Sequence, residues 1–356
     1  MFTDRRRTRM IHFDNDYTEG AHEKILSRLL ETNNIQMPGY GLDDYSEKAR
    51  NLIKKATKKE DIDVHFLVGG TQTNLTVIAA SLRPYEGVVT ADSGHIHTLE
   101  TGAIEAIGHK LLLLPNRDGK ITAAQVQKLC DDYLSNKANM HKVQPGMVYL
   151  SNPTETGTLY SKAELIAFHK VCKDYDMKLF IDGARLGYGL VAETNDLTLE
   201  DLAQLTDVFY FGGTKLGALF GEAVIISNPE IKKGFLALTK QKGGLLAKGR
   251  TLGVQFEVLF ENQFYLELSH HAVKQAMKLK NTFEALNLSL KYEAYTNQLF
   301  PIIPNKILDK LQEKYVFLKM EQEDKDHTLV RICTSWATTD ENVKALTDDL
   351  YQLMRE

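Results

Sequence analysis

Between residues 64 and 226 one pattern recurs: a short, mostly apolar run, a turn residue, then a stretch with helical spacing. The apolar runs fall at 64–68 (VHFLV), 87–91, 110–114, 147–150, 178–181, 208–211 and 223–226. They do not alternate with polar residues, so each predicts a strand covered on both faces. Segment 161–175 carries Leu165, Ile166, Phe168 and Val171 at helical spacing, and 75–82 reads as another helix. Strands separated by helices predict an α/β fold with a mostly parallel, seven-stranded sheet.

After about residue 244 the character changes. Residues 250–277 read as one long helix, with Phe256, Phe260 and Phe264 spaced for packing. A strand over 296–303, a helix over 306–315, a strand over 328–333 and an amphipathic helix over 340–354 follow. The expected division is an N-terminal arm (1–24), a large domain (25–250), and a connecting helix with a small α+β domain (251–356).

With 43% hydrophobic and 25% charged residues, the 356-residue chain is of globular type. Its 43 basic and 47 acidic residues give a net charge of −4, which offers no basic field for nucleic acid. No apolar run is long enough to span a membrane. Cys130, Cys172 and Cys333 lie far apart without a C-x-x-C pair, against a disulfide framework or a thiolate zinc site. Arg5, Arg6, Arg7 and Arg9 could open a signal peptide, but the polar, acidic stretch 11–20 follows. A solvated arm on a soluble cytoplasmic protein is the expectation.

Ligands in open parallel sheets sit beyond the carboxyl ends of strands. Three of those ends carry informative residues. The first delivers Gly69-Gly70-Thr71-Gln72-Thr73-Asn74 ahead of a helix, a shape that can cup a phosphate. A plain capped turn would read the same way. The second delivers Asp182, with Arg185 three residues on; a local ion pair is the simpler account. The third delivers Lys215 on a Gly-Gly-Thr turn, where most lysines are merely exposed. Together they are an anion cup, an acid and a lysine able to form a Schiff base, which is the equipment for pyridoxal phosphate. His95 and His97 have the i, i+2 spacing of metal ligands on a strand, but nothing in sequence completes such a site, so no metal is expected.

The chain resembles the threonine aldolase / β-eliminating lyase family of fold-type-I pyridoxal-phosphate enzymes. The resemblance rests on GYGLDDYSEKA (39–49), GGTQTN (69–74), SGHIHTLETGA (93–103), FIDGARLG (180–187), FGGTKLGALFGEA (211–223), KQKGGLLAKG (240–249) and VRICTSW (330–336). It implies that Lys215 bonds the cofactor, Asp182 holds the pyridine nitrogen protonated, Gly70, Thr71 and Gln72 hold the phosphate, and His95 stacks on the ring. Arg185, Arg331 and Asn15 would bind the substrate carboxylate. One of Lys242, Lys248 and Arg250 would reach the phosphate region, and Tyr40 an interface, in a homo-oligomer (dimer or tetramer) with shared sites. The implied activity is cleavage of L-threonine or L-allo-threonine to glycine and an aldehyde.

The pattern departs at two places. Thr154 stands near the position of a histidine expected beside the substrate hydroxyl, and Ser335-Trp336 where a histidine is common. His95, Glu100 or a water are then candidate bases. The departures keep β-elimination, decarboxylation or transamination open. A non-catalytic relative and a metal-dependent hydrolase through His95 and His97 are further alternatives; intact Lys215 and Asp182 speak against the first.

Overall fold

In the computed structural model, which describes residues 10–355, the apolar runs become strands. The chain enters as β1 (Ile11–His12) and continues through β2 (Asp63–Leu67), β3 (Glu86–Ala91), β4 (Leu111–Leu114), β5 (Gln144–Ser151), β6 (Lys178–Asp182), β7 (Val208–Gly212) and β8 (Glu222–Ile226). Strands β2 to β8 form one sheet in the order β2-β8-β7-β6-β5-β3-β4. Neighbours from β7 to β4 are parallel, and β8 is antiparallel to both β7 and β2. Arg5, Arg6, Arg7 and Arg9 lie outside the described residues.

Alternate residues of a strand meet different helices. In β7, Phe209 and Phe211 share a core with Phe256 and Leu259, whereas Val208 and Tyr210 share one with Val77 and Ile78. Burial of both faces is what an unalternating apolar strand requires. Each such phenylalanine contributes about 1.5–3 kcal/mol by leaving water.

Side chains mark the starts of several helices. Ser161 with Glu164, Thr122 with Gln125 and Thr198 with Asp201 close capping boxes. Helix Gly70–Ser81 is different: Gly69 precedes it, and no side chain caps its first N–H groups.

The expected single helix over 250–277 is broken into Arg250–Phe260 and Phe264–Ala285. Between them Asn262 (φ 52) and Gln263 (φ 62) take left-handed backbone, which asparagine tolerates better than most residues. The turn stacks Phe260 on Tyr265 with ring centroids 5.4 Å apart. The expected strand 296–303 is also interrupted, giving β9 (Gln298–Leu299) and β10 (Ile302–Pro304). Pro301 between them has no N–H to continue a ladder.

β11 (Tyr315–Val316), β12 (Leu318–Gln322) and β13 (His327–Cys333) complete the chain's strands, with β10-β13-β12 antiparallel and β9 also on β13. A second core gathers Leu279, Phe283, Ile303, Ile332 and Leu346 around Phe13. β1 pairs in parallel with β11, and the Cys333 N–H donates to the Phe13 carbonyl at 2.7 Å. Residues 11–13 therefore strap the amino-terminal segment onto the second core.

In the large sheet β3 leads outward to β4, and its other neighbour β5 leads the opposite way to β6. The reversal opens a crevice beyond the carboxyl ends of β3 and β5. Among the described residues, no helix is long and apolar enough to cross a membrane.

Candidate active site

A cavity of about 360 Å³ lies in this crevice, with Gly70, Thr71, His95, Asp182, Arg185 and Lys215 on its wall. Asp182, the last residue of β6, sits in register with Ser151 of β5. Four donors hold its carboxylate. Tyr210 Oη (2.5 Å) and the Ala184 N–H (3.0 Å) donate to Oδ1; Tyr149 Oη (2.5 Å) and Asn74 Nδ2 (3.1 Å) donate to Oδ2. Burial pushes this acid up, but the charge of His95 and the tyrosine hydroxyls outweigh it and hold Asp182 below the usual carboxylate range. The site thus presents a buried carboxylate that its donors bias toward the ionised form.

Two glycines bring the Asp182 and Lys215 loops together. A Cβ on Gly183 would lie 1.8 Å from the Tyr210 carbonyl oxygen, and one on Gly212 would lie 2.2 Å from that of Ala184. The Gly212 N–H donates to the Gly183 carbonyl at 2.9 Å, which locks FIDGA against FGGTK. Lys215 follows in the turn between β7 and β8, where Tyr188 Oη donates to its carbonyl at 2.5 Å. Burial, reinforced by the charge of Arg185, lowers the Lys215 pKa. A neutral amine is the nucleophilic form.

Further acids line the same space. Glu222 accepts from Thr214 Oγ1 at 3.1 Å through Oε1, while its buried Oε2 has no partner. Burial holds Glu222 well above the usual carboxylate range even beside Lys215. His95 follows β3, its Nδ1 donating to Glu100 Oε1 at 2.8 Å. The His95 backbone N–H donates to Glu155 Oε1 at 2.9 Å.

The β-eliminating lyase model matches residues 26–305. The chain belongs to the β-eliminating lyase family. A threonine aldolase structure from Leishmania major shares 43% identity and superposes with a TM-score of 0.94, covering 97% of this chain and 99% of that one. The low specificity L-threonine aldolase of Pseudomonas aeruginosa is 27% identical over 350 residues, 96% of this chain and 97% of the relative. An aspartate aminotransferase from Thermus thermophilus shares the fold, with a TM-score of 0.69 at 13% identity over 97% of this chain and 91% of that one.

In this family member the remaining residues named from sequence fall in different places. Arg185 reaches the cavity wall but commits two nitrogens to Asp16, Nε to Oδ2 at 2.7 Å and Nη2 to Oδ1 at 3.0 Å. Arg331 lies outside the wall; its Nη2 donates to the Asp14 carbonyl at 2.9 Å and its buried Nε has no partner. The Asn15 side chain is used in its own turn, accepting from the Tyr17 N–H and Thr18 Oγ1. Gln72 accepts from the Val68 N–H and donates to the Lys242 carbonyl, so its side chain ties the cup to the 240s loop. Arg250 donates to the carbonyls of Ile35 and Asn33. Tyr40 rests under the Lys240 ammonium, 4.8 Å from the ring centroid. None of Lys242, Lys248 and Arg250 lines the cavity.

His95 and His97 are on a short helix, His95–Thr98, not the strand their spacing suggests; His97 is exposed. Among the described residues no group of three His, Cys, Asp or Glu side chains could hold a metal ion. Reading by motif passed over Tyr149, Tyr210, Asp16, Glu155 and Glu222. The two tyrosines carried a usable signal: each sits two residues before the end of its strand, a polar tip in an apolar run.

Proposed function

We infer that the protein cleaves L-threonine or L-allo-threonine to glycine and acetaldehyde, using pyridoxal 5′-phosphate. The observation that carries this reading is one cavity holding a lysine of lowered pKa and a carboxylate kept ionised by four donors. The likeness over nearly the whole chain to threonine aldolases supports the choice of reaction.

The residues fit the cofactor. The uncapped N–H groups at Gly70 and Thr71, at the positive end of a twelve-residue helix, suit its phosphate. Asp182 suits a protonated pyridine nitrogen and Lys215 the carbonyl carbon. When bound, pyridoxal phosphate supplies the electron sink for the pair released as Cα–Cβ breaks. Arg185, on the cavity wall and with Nη1 outside its two bonds to Asp16, would hold the substrate carboxylate and so set which bond breaks; Arg331, behind the wall, would act at most through its neighbours. The glutamate on His95 Nδ1 would fix that ring, leaving Nε2 to the cavity.

Thr154 favours keeping a second reading. Its hydroxyl is used by Thr156 and Thr158, so it offers no base, and elimination from another amino acid then stays open. Product analysis separates the two: glycine with acetaldehyde supports cleavage, whereas a 2-oxo acid with ammonia supports elimination.

We also read the protein as cytoplasmic and as a homo-oligomer. Leu26, Leu30 and Leu42 support the latter, since all three are exposed and apolar. A monomer in sedimentation would overturn it.

A further inference from the structure

The cavity has a second carboxylate edge that the reading above leaves idle. Glu155 lies beyond the carboxyl end of β5, at the reversal between β3 and β5, and forms part of the cavity wall. Its Oε1 is held from two sides, by Ser151 Oγ at 2.6 Å and by the His95 N–H at 2.9 Å. Among the described residues no other residue donates to Oε2, and Oε2 is not one of the sealed, unpartnered atoms of the interior. One oxygen therefore anchors the group while the other is its face on the cavity. An anchor alone would not need a charge, because a glutamine oxygen accepts the same two bonds.

We propose that Glu155 is the base that takes the β-hydroxyl proton of the substrate, in the place of the histidine that Thr154 fails to supply. The proposal rests on the retro-aldol reading. The hydroxyl proton passes to Oε2 as the O–H pair becomes the second bond of the aldehyde carbonyl. The Cα–Cβ bond breaks, and its pair leaves on Cα. A solvent proton closes Cα to give glycine, and Glu155 returns its own proton to solvent, so atoms and charge balance.

The surroundings strengthen Glu155 as a base. Burial raises the Glu155 pKa, and the negative charge of Asp182 on β6 raises it further. The hydrogen bonds from Ser151, from the Glu155 backbone N–H and from the His95 N–H offset part of this. Glu100 stands behind His95, and Tyr149 and Tyr160, whose hydroxyls bond Asp182 and the Ile121 N–H, are near enough to feel the Glu155 charge. A carboxylate held above its ordinary range is a stronger base than an exposed one.

The test compares wild type with Glu155→Gln, which keeps both anchoring bonds. Loaded with pyridoxal phosphate, the variant should lose threonine cleavage by about 100-fold or more. Exchange of the glycine α-proton with deuterated solvent, which needs no β-hydroxyl, should stay within about threefold of wild type. In the protein without cofactor, the wild-type minus variant infrared spectrum should carry a carboxyl band that titrates above the usual carboxylate range. Equal loss of cleavage and exchange, unchanged cleavage, or a band titrating in the ordinary range would each overturn the assignment. A wild type that exchanges glycine but cleaves no β-hydroxy amino acid would instead overturn the reading beneath it, and the assignment with it.

Discussion

Asp16 and Arg185 meet as a two-bonded fork across 169 residues of sequence, with N–O distances of 2.7 and 3.0 Å. Asp16 also accepts from Asn297 Nδ2 at 2.9 Å, so one carboxylate joins the amino-terminal segment, the large sheet and the second core at the edge of the cavity. Removing it would strand a buried guanidinium. Asp16→Ala should therefore cost about 3–5 kcal/mol in denaturant unfolding. It should also raise the KM for threonine, because Arg185 loses its fixed position.

The same pair predicts a pH dependence. Burial alone would raise the Asp16 pKa, but the charges of Arg185 and Lys215 bring it below the usual carboxylate range. A depressed carboxylate contributes stability that is present above its unfolded pKa and is lost as pH falls through the folded value. Thermal melts of wild type should fall off on the acid side of the carboxylate range, and Asp16→Asn should flatten that limb. An acid limb of equal slope in the variant would contradict the assignment.

Tyr210 spends its hydroxyl on Asp182 inside the core. Tyr210→Phe removes one of four donors and leaves the charge less well paired. A hydrogen bond to a charged group contributes about 1.5–3 kcal/mol. The variant should lose that order of stability, and its cleavage rate should fall while bound cofactor remains. Rate and absorbance measured on one preparation check both.

Lys215 is placed for chemistry at a cost to the fold. Its lowered pKa means that the unfolded chain holds the proton more readily. In the cofactor-free protein at neutral pH, Lys215→Met should raise the midpoint of unfolding, and with pyridoxal phosphate added it should abolish cleavage. The gain should shrink as pH climbs toward the ordinary lysine range, where the unfolded amine also loses its proton. A lower midpoint at neutral pH would contradict this.

Gln263 holds left-handed backbone without being glycine. That conformation costs a non-glycine residue about 1–2 kcal/mol. Gln263→Gly should stabilise the protein, by an amount reduced through the greater freedom of glycine in the unfolded chain. Denaturant midpoints of the two proteins decide it.

The large sheet was legible because its inner strands, β3 and β5 to β8, are buried on both faces and read as mostly apolar runs, whereas the edge strands β2 and β4 are only part-buried. β12 was not: its five residues, LKMEQ, are all exposed and leave no hydrophobic signature. Nor was the break after Phe260, since Glu261, Asn262 and Gln263 are compatible with a continuing helix until the packing of Phe260 on Tyr265 is known. At the site, Asp182, Lys215, His95, Gly70, Thr71 and Arg185 were all named from sequence and share one cavity wall. The groups that tune them were hidden. Tyr149 and Tyr210 read as core residues, and the Asp16–Arg185 pair joins positions 169 residues apart with no local spacing to reveal it. Glu155 lies beside the threonine where a histidine was sought, so its neighbour drew the attention.

The most direct test of the account follows L-threonine by proton NMR in the presence of the protein and pyridoxal phosphate. Glycine and acetaldehyde should appear in equal amounts, and neither should form with Lys215→Ala. Conversion to 2-oxobutyrate and ammonia, or cleavage that persists without Lys215, would contradict it.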